Sequence, residues 1–301
     1  MNRSTMRKGP YDPAVTARKE KNAEIFSETI AAINDSFYTA PSGKLVNLPP
    51  LRPMLEGAEC WHREQPVVDA PEVVGGTEIV VENNDCIEAA KRLVARGYNP
   101  VMLNFASGGH PGGGVENGAR AQEETLCRRS TLARSIYTFD AEYARNYHYT
   151  HRKGNNYPLE NLNFSAIYSP YVTFFREGLD CTFMEEPFQC AVVTCAALNL
   201  NGRYSLKLTR DGNMPPQAKS ITANKIRTIF RLALRHYHNA LVLGAFGCGA
   251  FRNPPEEMAS IFKSVLNEDE FRNKFLLVTF AIIEDHNSRN VNLRAFRKVF
   301  E

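Results

Sequence analysis

From residue 77 onward the chain alternates between two hydrophobic periods. TEIVVEN, from Thr77, and PVMLNFA, from Pro100, are short β-branched and apolar runs with the length of buried strands. Between them, NDCIEAAKRLVARG spaces its apolar positions at the helical period, with Asn84 or Asp85 as N-cap and Gly97 just past the end. The same reading predicts a helix over 119–135 and strands in NFSAIYS, VTFFRE, CTFM and FQCAVVTCAAL. It then predicts a helix over 220–238, a strand in ALVLGAFG, a helix over 254–266, a strand in KFLLVTFAII and a last helix over 291–300. Strands alternating with helices imply an α/β fold with a mixed, mostly parallel central sheet between helical layers. Upstream, a helix is predicted over 17–37, with Ile25, Phe26, Thr29, Ile30, Ala32 and Ile33 along one side. Residues 39–71 are proline-rich and irregular. The expected organisation is an accessory region, 1–71, carrying a helical extension and packed on a single domain, 72–301.

Bulk composition narrows the function classes. A net charge of +3 is too small to argue for nucleic acid, so no direct nucleic-acid binding is expected. The basic residues Arg3, Arg7, Lys8, Arg18, Lys19 and Lys21 read as a solvated arm. No apolar stretch approaches the roughly 20 residues of a membrane helix, and the start lacks the apolar segment of a secretory signal. The seven cysteines include no CxxC pair. They read as reduced, mostly buried thiols in a reducing compartment: the cytoplasm, or the nucleus in a eukaryotic cell. No cluster has zinc-ligand spacing, so no metal is expected.

The unusual chemistry sits at strand ends, where open α/β sheets bind ligands. NFASGGHPGGGVENGARAQEETL, from Asn104, places six glycines between Gly108 and Gly118 and then Gln122, Glu123 and Glu124. Bare backbone ahead of a helix can aim N–H groups at an oxygen-rich ligand. The loop matches neither GxGxxG, because Asn117 occupies the last glycine position, nor a P-loop, which needs a lysine. Adjacent helical glutamates point about 100° apart, so they can flank a group but not face one atom. The plain alternative pairs Glu124 with Arg128 one turn on. The glycine loop, with Asn104 ending the preceding strand, favours ligand binding. A second glycine turn, LVLGAFGCGAFRNPP, puts Gly247, Cys248, Gly249, Ala250 and Phe251 just past another buried strand. Their backbone suits a diphosphate, and Phe251 either covers a ribose or base or packs in the core. Cys248 has no partnered base and is not expected to be a nucleophile.

These residues resemble a known family. Gly112-Gly113-Gly114, seven intervening residues and then Gln122-Glu123-Glu124 is similar to the signature of poly(ADP-ribose) glycohydrolases of the microbial type. LNFASGGHPGGG, AQEETLCRRSTL, YSPYVTFFR, LVLGAFGCGAFRNPP and VTFAI follow in matching order, over roughly 77–300. The resemblance implies a macrodomain-like three-layer fold and hydrolysis of the ribose–ribose bonds of poly(ADP-ribose), trimmed from the chain terminus, to release ADP-ribose. It implies Glu124 as the acid, with Glu123 and Asn104 holding the distal ribose. Gly112, Gly113 and Gly114 would lie near ribose and diphosphate beside Gln122, and 247–251 would form the second diphosphate loop. Asp85 would meet the adenine amino group, or serve only as a helix cap. The partners implied are the polymer, ADP-ribose and poly-ADP-ribosylated proteins, and no cofactor is called for. One departure is TCAA at Thr194, where the family tends to carry Ser-x-Pro-Ala; it puts the pocket wall there in doubt. The competing readings are a macrodomain that binds ADP-ribose without cleaving it, a mono-ADP-ribosyl hydrolase, and an NAD-dependent oxidoreductase. The last is disfavoured by the missing GxGxxG.

Overall fold

A computed structural model describes residues 12–152, 154, 157–159, 163–201, 206–284 and 291–301. Of the basic arm, Arg3, Arg7 and Lys8 lie outside the described residues. In chain order the elements are α1 (Pro13–Asp35), β1 (Phe37–Thr39), β2 (Leu45–Asn47), α2 (Arg52–Gly57) and β3 (Glu59–Trp61). There follow β4 (Glu78–Glu82), α3 (Cys86–Ala95), β5 (Pro100–Phe105), α4 (Gln122–Arg129), α5 (Leu132–Ile136) and α6 (Ala141–Asn146). The remainder comprises β6 (Ala166–Glu177), β7 (Thr182–Cys195), α7 (Pro216–Arg235), β8 (Ala240–Leu243), α8 (Pro255–Leu266), β9 (Leu277–Ala281) and α9 (Val291–Phe300).

The central sheet has seven strands in the order β3-β6-β7-β5-β8-β9-β4. Its β4/β9, β8/β9, β5/β8 and β5/β7 pairs are parallel, whereas β6/β7 and β3/β6 are antiparallel. Strand alternation builds the three layers. Val101 and Leu103 of β5 point into a core with Phe230 of α7, Phe262 of α8 and Phe296 of α9. Met102 points the other way, into a core with Leu93 of α3, Leu126 of α4 and Phe26 of α1. Among the described residues no helix is long and apolar enough to cross a membrane, and all seven cysteines are free.

Several boundaries differ from the sequence reading. The predicted 119–135 helix breaks at Ser130, whose extended backbone bridges to Phe174 of β6. The Ser130 hydroxyl then accepts from Leu132 N–H, starting α5 afresh. NFSAIYS and VTFFRE form one strand, β6, with a bulge between Ser169 and Val172. CTFM and FQCAVVTCAAL likewise merge into β7. Phe37 leaves the predicted first helix, because Ser36 takes a left-handed turn (φ 65°) and the chain enters β1. The 39–71 segment is less irregular than its prolines suggest. It carries β2, α2 and β3, and β3 supplies an edge strand of the central sheet.

α1 buries Ile25, Phe26, Thr29, Ala32 and Ile33, the face predicted for it. It also braces the glycine loop. Asn22 Nδ2 donates to the Gly118 carbonyl at 3.1 Å, and Thr29 Oγ1 donates to the Arg128 carbonyl at 2.7 Å. Gly118 has φ +70°, and a Cβ there would overlap the backbone carbonyl of Lys19. Helix and loop therefore meet main chain to main chain. Gly118→Ala is expected to destabilise the fold by roughly 2–4 kcal/mol, from left-handed strain plus overpacking. A urea midpoint unchanged from wild type would show that α1 does not dock on this loop as tightly as described.

Candidate active site

The carboxyl ends of β5, β7 and β8 lie side by side in mid-sheet, and the unusual loops leave from them. α4 begins at Gln122, after Ala121 as an N-cap without a side-chain bond. The first carboxylates of the helix therefore meet loop N–H groups instead of capping their own helix.

Gln122 spends its amide on β5. Its Oε1 accepts from Phe105 N–H at 2.8 Å and its Nε2 donates to the Leu103 carbonyl at 2.7 Å. This two-point clasp fixes where the helix starts relative to the strand. Glu123, 2% exposed, accepts from Ser107 N–H at 2.6 Å, from Gly112 N–H at 3.1 Å and from Asn104 Nδ2 at 3.4 Å. Asn104 Nδ2 also donates to Thr194 Oγ1 at 3.2 Å. Glu124, 7% exposed, accepts from Gly114 N–H at 2.9 Å through Oε1. The alternative pairing with Arg128 is not made: Arg128 Nη1 donates instead to the Ala119 carbonyl. Gly113, at φ +58°, stands against both carboxyls, and a Cβ there would overlap Glu124 Oε1. The run of glycines thus removes every side chain that would separate backbone from carboxylate.

Glu123, Glu124, Gln122, Phe105, Ala197 and Phe251 are among the residues enclosing a cavity of about 270 Å³. Gly247, Gly249 and Ala250 of the second glycine turn line it too, so the two loops converge. The second turn is held from behind by Asn253, whose Nδ2 donates to the Leu198 carbonyl at 2.8 Å and the Gly247 carbonyl at 3.0 Å. Cys248 faces away from the cavity. Its thiol lies 3.6 Å from the Phe246 carbonyl, packs on the core, and burial pushes its pKa up. Asp85 lines no part of this cavity. Its Oδ1 caps α3 through Ile87 N–H at 2.7 Å, and its Oδ2 takes Arg129 Nη1 at 2.6 Å. An adjoining hollow of about 180 Å³ shares Phe105, Gln122 and Ala245 with the first and is completed by Ala281, Ile282 and Asn84. A larger groove, about 560 Å³, runs between α7 and α8 and is remote from these carboxylates. The departure at TCAA is absorbed locally: Thr194 supports Asn104, and Ala197 forms the wall.

Phe105, Ser107, Thr194 and Asn253 are site residues that the motif reading passes over. Ser107 contributes only its N–H, which no sequence pattern announces. Asn253 carried a signal, as a lone amide closing a glycine turn ahead of two prolines.

Burial pushes Glu123 up from 4.5 to about 8; the N–H bonds from Ser107, Gly112 and Asn104 pull the other way, while the Glu124 charge adds to the rise. Burial thus favours the protonated form of Glu123 at neutral pH. Because the folded pKa lies above the ordinary value, this group favours folding fully below pH 4.5 and loses that contribution as pH rises through about 8. Glu123→Gln removes the titration. Its thermal midpoint relative to wild type is expected to rise steadily between those two pH values. A difference independent of pH would contradict the elevated Glu123 pKa.

The family profile for the microbial-type PARG catalytic domain matches residues 27–177. The match thus begins inside α1, further upstream than the motifs alone indicated. Poly(ADP-ribose) glycohydrolase (PARG) from Thermomonospora curvata superposes with a TM-score of 0.80 at 30% identity, covering 93% of this chain and 100% of that one. The same enzyme bound to the inhibitor ADP-HPD gives a TM-score of 0.74 at 30% identity, over 93% and 99% of the two chains. PARG from Deinococcus radiodurans in complex with ADP-ribose gives 0.65 at 30% identity, over 84% and 98%. No curated protein sequence matches the chain. The shared fold, the matched profile and the paired carboxylates against the glycine loop place this chain in the family of microbial-type poly(ADP-ribose) glycohydrolases.

Proposed function

We propose that the chain hydrolyses the ribose–ribose O-glycosidic bonds of poly(ADP-ribose), working from the chain terminus, with Glu124 as the acid. One observation carries the assignment. Glu124 Oε2 is buried at the cavity and has no hydrogen-bond partner among the described residues. Both Glu123 oxygens already accept N–H donors. Glu124 Oε2 is therefore the carboxylate oxygen at the cavity that no described protein donor occupies.

Glycosidic cleavage needs a proton on the leaving oxygen as an oxocarbenium-like centre develops. Glu124 delivers that proton to the departing ribose hydroxyl as the C1–O bond breaks. Water then adds to the ribose carbon and returns a proton to the carboxylate. Glu123 and Asn104 hold the hydroxyls of the sugar; Asn104 Oδ1 is likewise buried and unpartnered among the described residues. The backbone of 247–251 cradles the diphosphate, with Phe251 against ribose or base. The adjoining hollow, with Phe105, Ala281 and Ile282 as apolar walls and Asn84 and Asn292 as polar ones, takes the adenine. A contact from Asp85 to the base would have to share a carboxylate already bonded to Ile87 and Arg129.

The wider proposal follows from the same chemistry. Products are ADP-ribose and shortened polymer, substrates include poly-ADP-ribosylated proteins, and no cofactor enters. The seven free cysteines suit the cytoplasm, or the nucleus of a eukaryotic cell. Residues 72–301 carry the catalytic residues; from the preceding segment α1 braces the glycine loop and β3 joins the central sheet.

Glu124→Gln is expected to lower ADP-ribose release from polymer by at least 10²–10⁴-fold, the usual contribution of a general acid. Calorimetry should show ADP-ribose binding within a few-fold of wild type. Near-full turnover by the variant would remove Glu124 from the acid role.

A further inference from the structure

The pole of the sheet opposite the carboxylates carries a second cleft, of about 280 Å³, equal in size to the catalytic cavity. It lies at Pro100, where β5 begins, whereas Asn104 lies near its other end. Tyr98, Tyr168, Tyr171, Gln189, His236 and His238 line it.

Its inner wall is rigid. His238 is 5% exposed; its Nδ1 lies 3.2 Å from the Asn99 carbonyl and its Nε2 2.9 Å from Tyr168 Oη. A carbonyl can only accept, so Nδ1 carries the hydrogen and Nε2 receives the tyrosine hydroxyl. The His236 ring stacks on Tyr168 at 3.8 Å and is pinned through Nε2 to Glu59 at 2.7 Å.

The rim is aromatic and strained. Tyr171 is 56% exposed and sits at φ +52° in the bulge of β6. Its carbonyl is held by Gln189 Nε2 at 3.2 Å. A bulky side chain in left-handed backbone is a true outlier, and such strain clusters at ligand-binding sites. Tyr237, next to His236, repeats the pattern, 88% exposed at φ +59° in the position after a helix where glycine is usual. Two guanidiniums lie over aromatic rings nearby. Arg96 lies 5.4 Å above Tyr98, and Arg235 lies 5.4 Å above Trp61 in the neighbouring hollow that Tyr237 also lines. Aromatic rings with arginines close by form a platform for bases linked by phosphates.

We propose that this cleft is a second nucleotide site, which takes the adenine of an ADP-ribose unit further along the polymer than the one being cleaved. The inference rests on the function proposed above. Tyr98 and Tyr171 stack the base, and Arg96 and Arg235 meet diphosphate. The site adds affinity for long chains without touching the chemistry, because the two sites lie roughly 20 Å apart along β5.

The test uses the full chain carrying Glu124→Gln, with ADP-ribose and with size-fractionated polymer as probes. Adding Tyr98→Ala and Tyr171→Gly should weaken binding of long polymer on the order of tenfold, the contribution of a base–aromatic stack. Affinity for free ADP-ribose should stay unchanged. The glycine relaxes the backbone at 171, so the thermal midpoint should not fall; Tyr171→Phe, which keeps the ring, should retain long-polymer affinity. Unchanged long-polymer binding in the folded double variant would overturn the proposal. So would equal losses for ADP-ribose and polymer, or equally tight capture of single-stranded RNA by the cleft. If the parent Glu124→Gln protein bound neither probe, the functional reading itself would fail, a result distinct from loss of the second site alone.

Discussion

Two adjacent carboxyl groups are buried at the start of one helix, and the rest of the molecule is arranged to make that tolerable. A buried carboxylate without partners is costly, so each oxygen needs a donor or the pair must keep a proton. The glycine loop supplies three of the donors as backbone N–H groups, from Ser107, Gly112 and Gly114. Backbone can come so close only where no Cβ intervenes, which is the constraint visible at Gly113. One oxygen of the four, Glu124 Oε2, is left without a donor among the described residues, and Glu124 lines the cavity. The site is therefore an incompletely satisfied polar cluster.

The supporting parts lie at increasing distance from that cluster. Gln122 ties the helix to β5, and Asn104 ties Glu123 to Thr194 on the neighbouring strand. Asn253 shapes the second loop from below, and Phe105 separates the catalytic cavity from the hollow beside it. The links through Gln122 and Asn104 run to central strands, so the rigidity of a sheet packed on both faces reaches the paired carboxyls. The same packing sets Pro100 and the aromatic cleft at the far end of the strand that ends near Asn104.

Much of this was legible in the letters. Buried parallel strands are continuous apolar runs, so β4, β5, β8 and β9 could be placed, and helix caps at Asp85 and Gly97 marked α3 closely. The loops stood out because glycine runs beside paired glutamates have no structural reason to recur. Legibility failed where structure depends on distant partners. The break at Ser130 exists because Phe174, far along the chain, competes for its backbone. β3 is a strand only because β6 offers an edge to it. Cys248 sits among loop residues yet turns into the core, and no local pattern separates it from Gly249. Asp85 was ambiguous between base contact and cap; the cap is visible in the structure because Arg129 and Ile87 take both of its oxygens.

The contact between α1 and Gly118 has a bearing on how such proteins diverge. The helix meets the loop through the main chain at Lys19, and one side chain, Asn22, adds a hydrogen bond to the Gly118 carbonyl. A main-chain contact of this kind fixes position while placing few demands on the side chains around it, apart from the absence of one at 118. The stretch of chain that braces the glycine loop can thus vary in sequence more freely than the loop itself, provided a donor is kept at Asn22 and no side chain appears at 118.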